Sequence, residues 1–142
     1  MSRFSESIPV RVYYEDTDHG GVVYYANYLK FMERGRTEFL RAIGLELDAI
    51  ETEFGILFAV TEAHVRYQTP ARFNDLLEVD TSLIEMRGAR LAFTQTIYHQ
   101  ATRRQLCTAT IRLACINRES AACRIPAPLI EILQNHLNKE HI

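Results

Sequence analysis

Three carboxylates fall within four residues, at Glu15, Asp16 and Asp18, just ahead of the glycine pair Gly20-Gly21. Tyrosines crowd the same stretch, at positions 13, 14, 24, 25 and 28. An acid held on a glycine-rich loop can act as a nucleophile or as a general base on water. A helix starting just behind it would offer unpaired N–H groups and the positive end of a dipole, which suit a developing anion. An isolated Asp-x-Asp more often marks a turn or an N-cap, because aspartate favours both. The surplus of tyrosine sets this segment apart from a simple solvated loop.

Other chemistries find no support. The chain contains no G-x-x-x-x-G-K-[ST] loop, no G-x-G-x-x-G after a strand and no G-x-S-x-G elbow. His19, His64, His99, His136 and His141 form no H-E-x-x-H and no tight ligand cluster, so no metal is expected. His64 and His99 fall in predicted strands and read as surface or satisfied residues. Cys107, Cys115 and Cys123 are spaced eight residues apart. On an extended strand eight residues span about 26 Å, so neighbours cannot share a disulfide or a metal unless the chain doubles back. Cys107 and Cys115 share parity and are expected to fill one strand face as small hydrophobes. An odd cysteine count fits a reducing compartment.

The elements that must position the acidic segment follow from the hydrophobic period. Ile8, Val10, Val12 and Tyr14 alternate with polar neighbours and predict a strand running into the acids. A long helix follows, with Asn27 as its N-cap, Tyr28, Met32, Phe39 and Ile43 on its apolar stripe, and Gly44 at its stop. Gly35 lies on that stripe, which predicts close approach to another backbone. Leu47, Ile50 and Phe54 predict a shorter helix ending at Gly55. The period then changes to two, predicting strands over 56–69, 76–86, 90–100 and 105–117 with short connections, hence antiparallel pairing. Pro126 and Pro128 open a last helix carrying Leu129, Ile130, Leu133 and Leu137 on one side. Elements segregated in this way predict an α+β fold, an antiparallel sheet laid on the long helix.

Composition bounds the rest. A chain of 142 residues, 47% hydrophobic and 24% charged, suits one globular domain spanning 1–142. Sixteen Lys and Arg against eighteen acids leave a net charge of -2, which excludes nucleic-acid binding by bulk charge. Only Lys30 and Lys139 are lysines, so the positive charge is nearly all arginine, whose planar fork suits phosphates and carboxylates. No stretch approaches the ~20 apolar residues of a membrane span, and no signal-peptide pattern opens the sequence. A cytoplasmic location is expected.

The acidic segment also carries a likeness. Arg11-Val12, Thr17-Asp18, Gly21-Val22-Val23 and Tyr28, then Phe31-x-Glu33-Arg34-x-Arg36-Thr37-Glu38 and Met86-Arg87-Gly88, fall at fixed spacing over essentially the whole chain. In these residues the sequence resembles the 4-hydroxybenzoyl-CoA thioesterase family of hotdog-fold proteins. Within it the pattern is nearest to the Tol-Pal-associated acyl-CoA thioesterase subgroup. It departs at Tyr25, where that subgroup usually has histidine and the 4-hydroxybenzoyl branch is more like this chain. The resemblance implies a hotdog fold, a sheet wrapped around the long central helix. It implies hydrolysis of acyl-CoA or acyl-carrier-protein thioesters, with coenzyme A as part of the substrate and no cofactor. It assigns Asp18 the catalytic carboxylate and the Tyr25 backbone N–H the oxyanion contact. Gly20 and Gly21 would shape the loop around the thioester, and Glu33 would contact the acyl group or simply pair with an arginine. Arg87 and Arg90 would meet the CoA phosphates, or be a solvated basic turn. The family's domains usually pair through their sheets, which implies a homodimer or homotetramer.

Two other readings compete. One is a binding module for acyl carrier protein or cell-envelope partners with little turnover. The other is an enoyl-CoA hydratase, for which His19 beside Asp18 is weak cover.

Overall fold

The computed structural model describes residues 4–138. Strand β1 (Glu6–Arg11) leads through an irregular loop into helix α1 (Asn27–Ala42) and the short α2 (Leu47–Phe54). Strands β2 (Leu57–Tyr67), β3 (Leu76–Arg87), β4 (Arg90–His99) and β5 (Gln105–Ile116) follow, then helix α3 (Ala127–Asn135). The five strands form one antiparallel sheet in the order β1-β3-β4-β5-β2. This is the α+β architecture expected from the change of period. The four later strands begin and end within two residues of their expected limits. No helix among the described residues is long and apolar enough to cross a membrane.

One face of the sheet is apolar and the other polar, as strict alternation dictates. Along β3, Leu77, Val79 and Leu83 are buried, while Glu78, Asp80 and Ser82 are half-buried on the other side. Leu91, Phe93 and Ile97 continue the inner face on β4. Helix α1 lays Phe31, Met32 and Phe39, all fully buried, against it. Strand β2 differs. It lies at the sheet's edge, and most of its residues are exposed.

A polar cluster sits inside this apolar interface. Gln95 on β4 donates from Nε2 to the Met32 carbonyl oxygen of α1 and to Thr81 Oγ1, both at 2.8 Å. Its Oε1 accepts from Arg36 Nη1 at 3.0 Å. Gly35 lets this happen. A Cβ there would lie 2.7 Å from Thr81 Oγ1 and 2.9 Å from Gln95 Nε2. The close approach expected at Gly35 is therefore to sheet side chains, not to a backbone.

Three further local expectations are corrected. The first strand stops at Arg11 rather than reaching Tyr14, because the Asp16 carboxylate takes the Tyr13 N–H at 2.8 Å and turns the chain. Asn27 is not the N-cap of α1. It lies inside the first turn, behind Ala26, and its Nδ2 donates to the Asp16 carbonyl oxygen at 2.8 Å. Leu137 lies beyond α3, bridged in parallel to Leu83.

The chain does double back after β5. The Asn117 N–H donates to the Ala121 carbonyl, and Cys123 N–H to that of Cys115, both at 2.9 Å. The Cys115 and Cys123 sulfurs stand 3.6 Å apart as free thiols. Cys107 and Cys115 are buried on β5, as parity predicted. Burial pushes both thiols up to about 12, the Cys123 thiol adding to the effect at Cys115.

Candidate active site

The two aspartates between β1 and α1 differ in exposure and in what they hold: Asp16 is half-buried and Asp18 exposed. A three-residue 3-10 turn, Tyr14–Asp16, opens the loop. Asp16 braces it: its half-buried carboxylate holds Tyr13 N–H through Oδ2, and its carbonyl accepts from Tyr24 N–H at 2.9 Å and from Asn27 Nδ2. Asp18 is placed differently. Its backbone N–H donates to the Val22 carbonyl at 2.8 Å, and its carbonyl accepts from Gly21 N–H at 3.1 Å. Gly21 takes a φ of 83°, the left-handed region that closes so tight a loop and favours glycine. The Asp18 side chain curls over this loop, Oδ1 accepting from Gly20 N–H at 2.8 Å and from Val22 N–H at 3.4 Å. Oδ2 takes no hydrogen bond from the described residues, and the residue is exposed. The bonded oxygen fixes the rotamer and leaves Oδ2 available.

The loop is pinned on its far side. Val22 bridges Arg72, and Val23 N–H donates to the Ala71 carbonyl at 2.8 Å. Ala71 N–H in turn donates to the buried Tyr28 hydroxyl at 3.0 Å. Burial raises the Tyr28 phenol above its ordinary value, so it remains a neutral group.

Beyond Val23 the chain enters α1. Tyr24 carbonyl accepts from Asn27 N–H at 2.8 Å. The N–H groups of Tyr25 and Ala26 have no acceptor among the described residues. Ala26 is the cap residue of α1, so its N–H is one of the orphan donors a helix start leaves, and the Tyr25 N–H lies one residue ahead of it. The Tyr25 ring is exposed, beside Tyr24 at a 4.9 Å ring separation. A pocket of about 190 Å³ opens next to it, lined by Val23, Tyr25, Tyr28, Tyr67 and residues 68–70.

Glu33 lies two turns along α1, exposed, on the rim of a second pocket of about 130 Å³ between α1 and the sheet. Arg36 forms part of its wall, with Leu40, Phe58, Leu91 and Phe93. Burial pulls the Arg36 guanidinium down from its ordinary value, and the charge of Glu33 opposes that pull.

Arg87 and Arg90 are exposed and face each other across the β3–β4 turn. A single chain does not bring them to Asp18. Arg11 pairs with Leu76, so the acidic loop leaves the sheet where β3 begins. Arg87 closes that 12-residue strand, roughly 36 Å of extended chain away.

Sequence reasoning passed over three residues that matter to this geometry. Gln95 and Thr81 occupy inward positions of β4 and β3, and polar residues at apolar parity were the available signal. Tyr67, at the end of β2, contacts the start of α1, and only the fold brings it there.

Comparison with known proteins identifies the family. Residues 12–133 match the thioesterase-like superfamily. The acyl-CoA thioesterase YbgC of Haemophilus influenzae is 42% identical over 111 residues, 78% of this chain and 80% of that protein. The acyl-CoA thioester hydrolase YbgC of Escherichia coli O6:H1 is 46% identical over 109 residues, 77% of this chain and 80% of that protein. A solved structure, a probable thioesterase from Bartonella henselae, superposes with a TM-score of 0.82 at 36% identity. That match covers 87% of this chain and all of the other.

Proposed function

The chain belongs to the thioesterase-like superfamily, and from that premise we propose that it is an acyl-CoA thioesterase in which Asp18 supplies the catalytic carboxylate. The observation that carries the assignment is the pairing of two features on one loop. Among the described residues, Asp18 presents one unbonded carboxylate oxygen, and the N–H groups of Tyr25 and Ala26, also without an acceptor there, follow seven and eight residues later. Thioester hydrolysis needs both: a base or nucleophile for the carbonyl carbon, and donors for the oxygen that becomes negative.

Two routes are open to that pair. Asp18 removes a proton from water as the water attacks, or attacks directly and forms an anhydride that water then opens. Either way the C–S bond breaks, the acid is released and coenzyme A leaves as the thiol. In both, the Tyr25 N–H stabilises the oxyanion, so the donor is backbone and the exposed Tyr25 ring is free to vary. Gly20 and Gly21 keep the loop close to the thioester, and Glu33 on its pocket rim contacts the acyl group.

The phosphates of coenzyme A call for cations, and Arg87 and Arg90 are the choice. Because they lie at the far end of the same chain's sheet, they would serve a second copy. Edge strand β2 is the surface for that copy, since it presents unpaired backbone groups along most of its length. A two-fold pairing of β2 with itself reverses one sheet against the other, and each arginine turn then approaches the partner's acidic loop.

The test is hydrolysis of a panel of acyl-CoA and acyl-carrier-protein thioesters by wild type and Asp18→Asn. Loss of turnover by at least about a hundredfold is expected in the variant. Equal turnover by both proteins would remove Asp18 from the reaction.

A further inference from the structure

The start of α1 is held from a distance, by a contact that neither helix nor loop provides. The Tyr67 hydroxyl, at the end of β2, donates to the Tyr25 carbonyl oxygen at 3.1 Å, across 42 residues of sequence. Its ring meets the Tyr25 ring edge-on at 6.2 Å and the buried Tyr28 ring at 5.4 Å. We infer that Tyr67 is a positioning residue of the oxyanion site, and that it aims a second backbone donor, the Ala26 N–H, alongside that of Tyr25. The inference rests on the thioesterase reading above and adds to it a residue and a donor.

The argument is one of peptide geometry. A trans peptide is planar, and its C=O and N–H point in opposite directions. The Tyr25 carbonyl and the Ala26 N–H belong to one such plane. Holding the carbonyl towards β2 turns the Ala26 N–H away from β2. The plane before it is held in the same manner, its Tyr24 carbonyl taken by Asn27 N–H at 2.8 Å. Its N–H is that of Tyr25. Both unpaired donors therefore sit on planes whose opposite ends are anchored, one locally and one by Tyr67.

Other ties to the Tyr25 carbonyl are weak. The Tyr28 N–H reaches it only at 3.4 Å, long for a hydrogen bond. Without the Tyr67 hydroxyl the plane would rest on that contact alone. Tyr67 is itself 46% exposed and Tyr25 61%, so the bond is not needed to satisfy a buried group. Its consequence is orientation. Partial burial raises the Tyr67 phenol above its ordinary value, so it stays a donor through the neutral range.

Tyr67→Phe removes the hydroxyl and keeps the ring. We expect kcat on an acyl-CoA that wild type hydrolyses to fall about tenfold, less than outright loss of an oxyanion donor costs. KM should stay within about twofold, because the donors act on the transition state and not on the bound thioester. Amide hydrogen exchange across residues 24–28 should quicken in the variant while the sheet keeps its protection. Tyr67→Leu, which loses the ring as well, should be no better than Tyr67→Phe. Wild-type kcat in Tyr67→Phe, a loss carried wholly by KM, or unchanged exchange over 24–28 would each overturn the inference. Turnover lost equally in Asp18→Asn and unaffected in Tyr67→Phe leaves the thioesterase reading standing and rejects this one. A wild type inactive on every acyl thioester rejects the thioesterase reading, and the exchange measurement then decides the positioning by itself.

Discussion

Arg36 on the central helix and Gln95 on the fourth strand share a hydrogen bond of 3.0 Å inside the helix–sheet interface, where Gln95 is 1% exposed. Gln95 also holds the Met32 carbonyl and the Thr81 hydroxyl, so a single side chain ties helix, β3 and β4 together. A buried cation left without its partner costs more than the net worth of the bond.

Gln95→Leu is therefore expected to destabilise the fold by about 3 kcal/mol, read as a shift of the urea midpoint. The apolar gain from leucine is not expected to offset it, because Arg36, Thr81 and the Met32 carbonyl all lose a partner. Wild-type stability in this variant would mean that water from the neighbouring pocket replaces the amide.

The buried thiols predict alkaline sensitivity. Burial raises Cys107 and Cys115 from an ordinary value of 9.0 to about 12 in the folded chain. Between those values the unfolded chain loses thiol protons that the folded chain keeps. The unfolded state then binds fewer protons, so stability falls as pH rises. The contribution is fully present below pH 9 and is lost up to about 12. Each thiol contributes a slope of at most about 1.4 kcal/mol per pH unit. Cys107→Ala should flatten the fall of unfolding free energy between pH 9 and 11, whatever it does to stability at pH 7. An unchanged slope would assign the alkaline loss to other groups, such as the Tyr28 phenol.

The arginine turn gives a test of substrate and assembly together. Neutralising it with Arg87→Gln and Arg90→Gln should raise KM for acyl-CoA about three- to tenfold with kcat kept, the effect shrinking as salt rises. A thioester of pantetheine, which lacks the nucleotide phosphates, should be hydrolysed equally well by variant and wild type. Equal loss on both substrates would mean that the turn acts on the fold or on subunit pairing.

Much of this protein is legible in its sequence. The change from a 3.6-residue to a two-residue period located α1 and the four later strands, because burial on one face writes itself into sequence as alternation. The glycines at 44 and 55 stopped the helices where they were expected. The likeness to acyl-CoA thioesterases was carried by residues at fixed spacing, from Arg11 to Glu38 and again at Met86-Arg87-Gly88, and needed no knowledge of distant contacts.

Sequence by itself determined the class of fold, the family and the segment proposed to carry the chemistry. Tertiary structure decided the division of labour inside that segment. Asp16 and Asp18 are the same residue type two positions apart, yet the half-buried Asp16 carboxylate braces the turn at Tyr13 N–H, while the exposed Asp18 carboxylate bonds only within its own loop, at Gly20 and Val22. It also decided which distant groups meet: Tyr67 with Tyr25, Gln95 with Arg36, Cys123 with Cys115. And it parted Arg87 and Arg90 from Asp18 by the length of a strand. The reason is physical. Periodicity records which face of an element is buried, but a hydrogen bond between elements depends on register, bulges and chain reversal, and these are set only when the whole sheet closes on its helix.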